Sequence, residues 1–128
     1  MKPLDALKFD AAGLIPVIIQ DHASGQVLVQ AFMNREALER SISTGKIHTY
    51  SRSRGRIALK GEVSGHFQHI REVYTDCDCD VVLFRVAQEG AACHEGYFSC
   101  FFRRLDANTA DWQTIAEKVF DPEKVYRK

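Results

Sequence analysis

The chain has 128 residues, of which 45% are hydrophobic and 27% are charged, a length and composition typical of one folded domain over residues 1–128. Basic and acidic residues number 17 each, which excludes a protein that binds nucleic acid or membrane through its overall charge. No stretch approaches the ~20 apolar residues of a membrane span, and no basic-then-apolar leader opens the chain. The sequence therefore predicts a cytoplasmic protein with reduced cysteines.

The first part of the sequence predicts a β-hairpin followed by a helix. Residues 14–21 and 26–33 have strand patterns, and the segment between them has turn composition. Asn34 is a good N-cap and Gly45 a good C-terminal stop for a helix that turns Leu38 and Ile42 inward.

The rest of the sequence predicts mainly strands. From residue 46 to residue 105 the hydrophobic pattern mostly has a period of two. Glycines divide it into predicted strands at residues 46–54, 56–62, 66–77, 80–88 and 97–105. The tail predicts an amphipathic helix from Trp112 through Phe120 that stops before Pro122. Strands in the majority, with two or more short helices, predict an α+β fold with a mostly antiparallel sheet.

An acidic run at residues 76–80, Asp76-Cys77-Asp78-Cys79-Asp80, is the segment least expected by chance. On a strand, alternate side chains share a face, so the aspartates would project to one face and the cysteines to the other. Three neighbouring carboxylates repel one another unless a cation screens them, and oxygen ligands suit Mg²⁺ or Ca²⁺. The alternative is a solvated acidic turn at a strand end.

A second cluster places Cys93, His94 and Cys100 close together in the sequence, with Gly90 and Gly96 allowing a tight loop. Thiolate and imidazole are zinc ligands, and three protein ligands with an open water position characterise catalytic zinc. One of the two upstream cysteines would supply the third thiolate. His94 is either a fourth ligand, which would close the site, or a general base beside the metal. The alternative for Cys100 is a small buried hydrophobic residue.

A third cluster is basic. Arg52 and Arg54 alternate along a predicted strand, and Lys60 follows within a glycine- and serine-containing segment. Arginine forks, hydroxyls and exposed amides bind phosphate, so this pattern predicts a phosphate-binding strip. The alternatives are a basic edge strand that discourages aggregation and a small nucleic-acid footprint, which the nearby aspartates would oppose.

Taken together, these segments resemble one family. The resemblance is carried, in chain order, by Gly13-Leu14-Ile15-Pro16, Ala31-Phe32-Met33-Asn34, Tyr50-Ser51-Arg52-Ser53-Arg54, Lys60-Gly61-Glu62, Ser64-Gly65-His66, the acidic run, Gly90-x-x-Cys93-His94-x-Gly96 and Ser99-Cys100-Phe101. The family is phosphoribosyl-AMP cyclohydrolase of histidine biosynthesis. The resemblance implies a cytoplasmic homodimer that opens the adenine ring of 1-(5-phospho-β-D-ribosyl)-AMP and requires Zn²⁺ and Mg²⁺.

The resemblance also implies a set of metal ligands, with one ion of each kind per subunit. Magnesium is expected at Asp76, Asp78 and Asp80, and zinc at Cys77 of one subunit with Cys93 and Cys100 of the other. Cys79 falls at a variable position of the motif and is expected to be a spare thiol.

The substrate suggests how the remaining residues act. Its adenine N1 already carries a phosphoribosyl group, so C6 is electron-poor and N1 can leave. We expect zinc-activated water to attack C6 and the C6–N1 bond to break, giving an imidazole-4-carboxamide nucleotide. His94 is the candidate for moving the proton, since histidine exchanges protons near neutral pH. Arg52, Arg54 and Lys60 are the candidates for binding the substrate phosphates.

Two other functions fit parts of the pattern. A zinc nucleobase deaminase also directs activated water onto C6 of adenine, but its H-x-E and P-C-x-x-C signatures are absent from this sequence. A non-catalytic zinc module could bind a nucleotide or RNA through the strip around Arg52. Stoichiometric zinc together with turnover would separate the enzyme from such a module.

Overall fold

The computed structural model describes residues 1–126, in which eight strands and three helical segments follow one another. The strands are β1 (Ile15–Asp21), β2 (Val27–Met33), β3 (His48–Ser51), β4 (Arg56–Leu59), β5 (Gln68–Thr75), β6 (Val82–Gln88), β7 (Arg103–Asp106) and β8 (Asp111–Thr114). The helical segments are a 3₁₀ turn (Lys2–Ala6), α1 (Arg35–Thr44) and α2 (Pro122–Tyr126). The predicted α+β class is confirmed.

A four-stranded sheet in the order β2-β1-β6-β5 forms the centre of the fold. Its two outer pairings, β1 with β2 and β5 with β6, are antiparallel, as are the separate β3–β4 and β7–β8 hairpins. β1 and β6 are parallel, with Val17 opposite Val82. A parallel pair needs a long connection, and residues 22–81 supply it. The mostly antiparallel arrangement is therefore confirmed, with a parallel pair at the middle of the sheet.

The core lies on one face of this sheet, where α1 covers it. Ile15, Val17 and Ile19 alternate along β1 and are fully buried. β6 contributes Phe84 to the same cluster and α1 contributes Leu38. Within residues 1–126, no helix is both long and apolar enough to cross a membrane.

The predicted boundaries of α1 are confirmed. The Asn34 side chain accepts a hydrogen bond from the Ala37 amide at 2.8 Å, and Gly45 ends the helix in the left-handed conformation with φ 76°. The inward orientation of Ile42 is wrong, because that side chain is 38% exposed. Ser41 occupies the buried position instead, and its hydroxyl bonds the Ala37 carbonyl.

The strand predicted over residues 66–77 ends two residues early, and the acidic run has the conformation of the alternative, a turn at a strand end. β5 ends at Thr75, and residues 76–80 form a turn in which Cys79 has φ 59°. The physical reason is local: Asp76 Oδ1 accepts hydrogen bonds from the backbone amides of Asp78 and Asp80, at 3.2 and 3.4 Å. Aspartate commonly captures backbone amides in this way, which competes with strand pairing.

The placement of Arg52 and Arg54 on one strand face is also wrong. β3 ends at Ser51, and both arginines lie in the exposed turn that leads to β4. Gly55 has φ 63°, and the Ser51 hydroxyl accepts a hydrogen bond from the Arg54 amide at 3.3 Å. The left-handed glycine allows the chain to reverse before the predicted strand ends.

The tail differs most from expectation. Residues 97–102 form a loop, so the strand predicted over residues 97–105 exists only at its end, in β7. Trp112, predicted to be helical, lies on β8 opposite Leu105. Trp112 is 68% exposed, so the apolar residues spaced three and four apart in this segment do not form a face that packs against the core. The helix in this region begins at Pro122 rather than ending before it, because proline is well tolerated in a first helical turn.

Candidate active site

The segment that carries Cys93 and His94 closes on itself as a small loop. The Ala92 amide bonds the Phe98 carbonyl at 2.9 Å, and the Cys93 amide bonds the Tyr97 carbonyl at 3.1 Å. The chain reverses beyond the Cys93–Tyr97 pair through Gly96, which has φ 103°. The tight loop predicted from the glycines is therefore present, and its closure brings Cys93 back toward Cys100.

Strand β2 anchors the far end of this loop. The Cys100 amide bonds the Leu28 carbonyl at 2.7 Å, and the buried Ser99 hydroxyl donates to the Val27 carbonyl at 2.7 Å. The same hydroxyl accepts a hydrogen bond from the Phe101 amide at 2.9 Å. Both cysteines are thus held by backbone bonds to the central sheet or within the loop.

The thiols of Cys93 and Cys100 interact at close range, with Cys93 buried and Cys100 half-buried. Burial raises the pKa of the Cys100 thiol to about 11, the Lys60 ammonium opposes this rise, and Cys93 and Glu95 add to it. The Glu95 amide also donates to Cys93 Sγ at 3.4 Å. The structure therefore brings Lys60, one of the predicted substrate-binding residues, to the cysteine pair.

Cys77 lies elsewhere in the chain, exposed in the turn of residues 76–80. Within residues 1–126, Cys77, Cys93 and Cys100 do not form a group whose sulfur atoms all lie within 4.8 Å of one another. The half-buried Cys79 has a structural contact, since its carbonyl accepts the Lys8 amide at 2.8 Å. A single chain therefore assembles two of the three predicted zinc ligands.

The three aspartates of the acidic run converge although they are not on a strand. Each of Asp76, Asp78 and Asp80 offers a carboxylate oxygen, and these oxygens all lie within 4.8 Å of one another. All three side chains are exposed. This spacing fits one hard divalent cation that keeps several of its waters, so a magnesium site at these residues stays a prediction that the geometry allows.

His94 is exposed and lines an open groove of about 890 Å³. The C-terminal tail forms much of the remaining wall, through Lys118, Pro122, Glu123 and Tyr126. The Val119 amide bonds the Gly96 carbonyl at 2.7 Å, which fastens the tail to the loop. The sequence did not predict this association, because backbone atoms make the contact and no motif spacing reports it.

The two predicted phosphate-binding arginines are not joined to Lys60 in one strip. The Arg52 guanidinium lies over the Phe32 ring, 4.1 Å from its centre, and the Arg54 side chain is exposed in the same turn. Lys60 follows β4, and its amide bonds the Ile47 carbonyl at 2.9 Å. The arginines thus mark one end of the β3–β4 hairpin and the lysine marks the other.

Comparison with known proteins places the chain in a family. The sequence profile described as phosphoribosyl-AMP cyclohydrolase matches residues 29–102. A phosphoribosyl-AMP cyclohydrolase of Methanococcoides burtonii is 52% identical over 126 residues, covering 98% of this chain and 100% of the relative. The enzyme of that name from Methanoregula boonei is 53% identical over 122 residues, covering 95% of each protein. The histidine biosynthesis bifunctional protein HisIE of Thermoanaerobacter pseudethanolicus is 49% identical over 123 residues, covering 96% of this chain and 56% of the longer relative. This chain belongs to the phosphoribosyl-AMP cyclohydrolase family.

Proposed function

We propose that this chain is a cytoplasmic enzyme of histidine biosynthesis, a cyclic amidine hydrolase that opens the adenine ring of phosphoribosyl-AMP at the C6–N1 bond. Family membership over nearly the whole chain supports this activity. The observation that carries the proposal within the structure is the paired thiols of Cys93 and Cys100 beside the His94 groove. A groove of about 890 Å³ has the volume of a nucleotide-sized ligand site.

The donor chemistry of the cysteine pair fits zinc. Cys93 and Cys100 place two sulfur ligands together, and an exposed Cys77 from a second subunit would be the third. Zinc held by these thiolates would supply the chemistry of a water activated near neutral pH for attack on C6. The proposal therefore includes a homodimer with one zinc site per subunit, each shared between the two chains.

The protein's own residues would bind the substrate and move the proton. His94, next to Cys93 in the loop and open to the groove, accepts the proton of the attacking water and returns it to the departing N1. Lys60, close to Cys100, and Arg52 and Arg54 on the hairpin turn bind phosphate groups. The carboxylates of the acidic run would hold Mg²⁺, which would supply positive charge for binding the oxygens of the phosphorylated substrate.

Ring opening measured by absorbance, with zinc, magnesium and ammonia determined on the same sample, tests the activity. We expect turnover with one zinc per subunit and no ammonia, since water is added across C6–N1 and no amine leaves the ring. Ammonia release would instead indicate a deaminase. Tightly bound zinc without turnover would favour the non-catalytic module.

Subunit mixing tests the shared zinc site. Cys77→Ala and Cys93→Ala subunits are each expected to be inactive alone. A mixed dimer joins the intact Cys77 of one chain to the intact Cys93 and Cys100 of the other, so it regains one of its two sites. Random exchange makes half of the dimers mixed, so recovery toward about a quarter of wild-type activity is expected. Absence of recovery, with exchange demonstrated by differently tagged chains, would contradict a shared site.

A further inference from the structure

His66 lies where three segments meet: the β4–β5 connection, the start of the cysteine loop and the C-terminal tail. A Cβ placed on Gly90 would lie 2.5 Å from His66 Cδ2, so the ring occupies the space of a missing side chain. On another side, the Phe120 ring meets the imidazole edge-on, with 4.7 Å between ring centres. The ring is therefore held by packing from both the loop and the tail.

The backbone of His66 is also fixed. A Cβ on Gly61 would lie 2.8 Å from the His66 carbonyl carbon and oxygen, so these two segments are in close backbone contact. The Ser64 hydroxyl accepts a hydrogen bond from the His66 amide at 3.1 Å. The backbone of His66 is thus held by contacts within its own connection.

One polar atom of the ring faces the cysteine loop. The Ala91 amide donates a hydrogen bond to His66 Nδ1 at 3.3 Å, and Ala91 is buried. An imidazole nitrogen accepts only when it carries no proton, so this contact requires the neutral ring with its proton on Nε2. A buried amide that loses its acceptor destabilises the fold, so this hydrogen bond restrains the position of the backbone at residue 91.

We propose that His66 is a positioning residue that sets the cysteine loop through its Nδ1 atom. Ala91 lies two residues before Cys93 and three before His94, at the end of the loop opposite to the Cys100–Leu28 hydrogen bond. His66 therefore anchors the entry of the loop as β2 anchors its exit. The proposal rests on the proposed function, because it treats Cys93 as a zinc ligand and His94 as the proton carrier.

The test compares two substitutions that differ in where they place an acceptor. In His66→Asn the amide oxygen takes roughly the position of Nδ1, whereas in His66→Gln it takes roughly that of Nε2. Both lose the ring, so lost packing alone affects them alike. His22→Gln, at an exposed histidine on the β1–β2 turn, is the matched control and is expected to behave as wild type.

The first measurement is hydrogen–deuterium exchange at the Ala91 amide in the metal-free protein. We expect exchange roughly tenfold faster in His66→Gln, as for loss of one hydrogen bond, and a near wild-type rate in His66→Asn. The second is Co²⁺ affinity, followed by thiolate-to-metal absorption, which we expect to fall roughly tenfold in His66→Gln and to recover in His66→Asn.

The outcomes separate the two proposals. Equal effects in the asparagine and glutamine variants, or no effect in either, would overturn the role of Nδ1. If the wild-type protein binds neither Co²⁺ nor Zn²⁺, the proposed function fails, while Ala91 exchange still decides the role of His66. If neither variant folds, Phe120→Ala takes their place, because it frees the ring to tilt and is expected to speed Ala91 exchange; an unchanged rate would overturn the proposal.

Discussion

The two candidate metal sites of this chain are built in opposite ways. The acidic turn at residues 76–80 is exposed, and Asp76 organises it through hydrogen bonds to amides within the same five residues. The cysteine loop at residues 90–100 is largely buried, and distant parts of the chain hold it through Leu28, Val119 and His66. The candidate site for a hard, hydrated cation is thus formed by residues close together in sequence, whereas the candidate thiolate site for a softer metal ion depends on tertiary contacts.

The two candidate sites also differ in how exposure to water affects their charged groups. Water solvates the exposed carboxylates, so a cation replaces solvent and few protein contacts change. Burial raises the pKa of Cys100 to about 11, so metal binding there must also remove a proton from a thiol. Metal binding at the cysteine loop is therefore coupled to the fold and to pH, and binding at the acidic turn is coupled weakly to both.

The strongest test of this contrast is removal of thiols. Cys93→Ser and Cys100→Ser are expected to lose bound zinc and turnover, because each removes one of the two sulfur ligands supplied by the same chain. Cys79→Ala is the matched control and is expected to keep both. Metal analysis and ring-opening rates provide the measurement. The assignment fails if Cys79→Ala empties the zinc site and Cys77→Ala leaves it full.

The next largest effect is expected at His94. His94→Ala should lower the maximal rate by about 10²–10⁴-fold, the usual range for a lost general base, and should retain zinc because the thiolates remain. Steady-state kinetics and zinc content on the same preparation measure the two effects separately. Loss of zinc would identify His94 as a ligand, and an unchanged rate would exclude it from proton transfer.

The buried thiol should react slowly when no metal is bound. Because a raised pKa keeps Cys100 protonated, the reactive thiolate is scarce at pH 8 and increases about tenfold per pH unit up to about pH 11. Alkylation at pH 8 is expected to be roughly a hundredfold slower than in the urea-unfolded chain, and mass spectrometry can follow it. Exposed Cys77 serves as the internal control. A plateau in the rate near pH 9 would contradict the raised pKa.

The smallest effect concerns the acidic turn. Asp78→Asn neutralises one carboxylate, so we expect the Mg²⁺ concentration needed for half-maximal activity to rise roughly tenfold while bound zinc stays unchanged. Asp111→Asn, at an exposed carboxylate on β8, is the control for a change in net charge. Parallel loss of zinc would show that the two sites are not separate, and no effect would favour a solvated turn without metal.

Local signals explain what the sequence predicted well. Asn34 and Gly45 determine the ends of α1 within a few residues of themselves, and Gly96 similarly permits the loop that returns Cys93 toward Cys100. The amide bonds of Asp76 are local as well, and they favour the turn over the strand geometry that the alternating pattern suggested for the acidic run.

Contacts between segments, whose partners no spacing specifies, explain what the sequence did not predict. The hydrophobic spacing around Trp112 suits a helix, but pairing with Leu105 satisfies the backbone in a hairpin instead. The bond from Cys100 to Leu28 and the approach of Lys60 to Cys100 depend on how the sheet folds, and no spacing encodes them. The sequence thus predicted which residue types form the candidate site, but it did not predict the tertiary contacts that hold them in place.

The parallel pairing of β1 with β6 also has a consequence for folding kinetics. β1 can form its hairpin with β2 early, but its other neighbour begins at Val82, after the whole of residues 22–81. Closing so long a loop costs entropy before the contact returns any free energy, which slows folding. During synthesis the unpaired edge of the apolar strand β1 stays open until β6 has left the ribosome, so a nascent chain halted between β2 and β6 exposes an edge that favours aggregation.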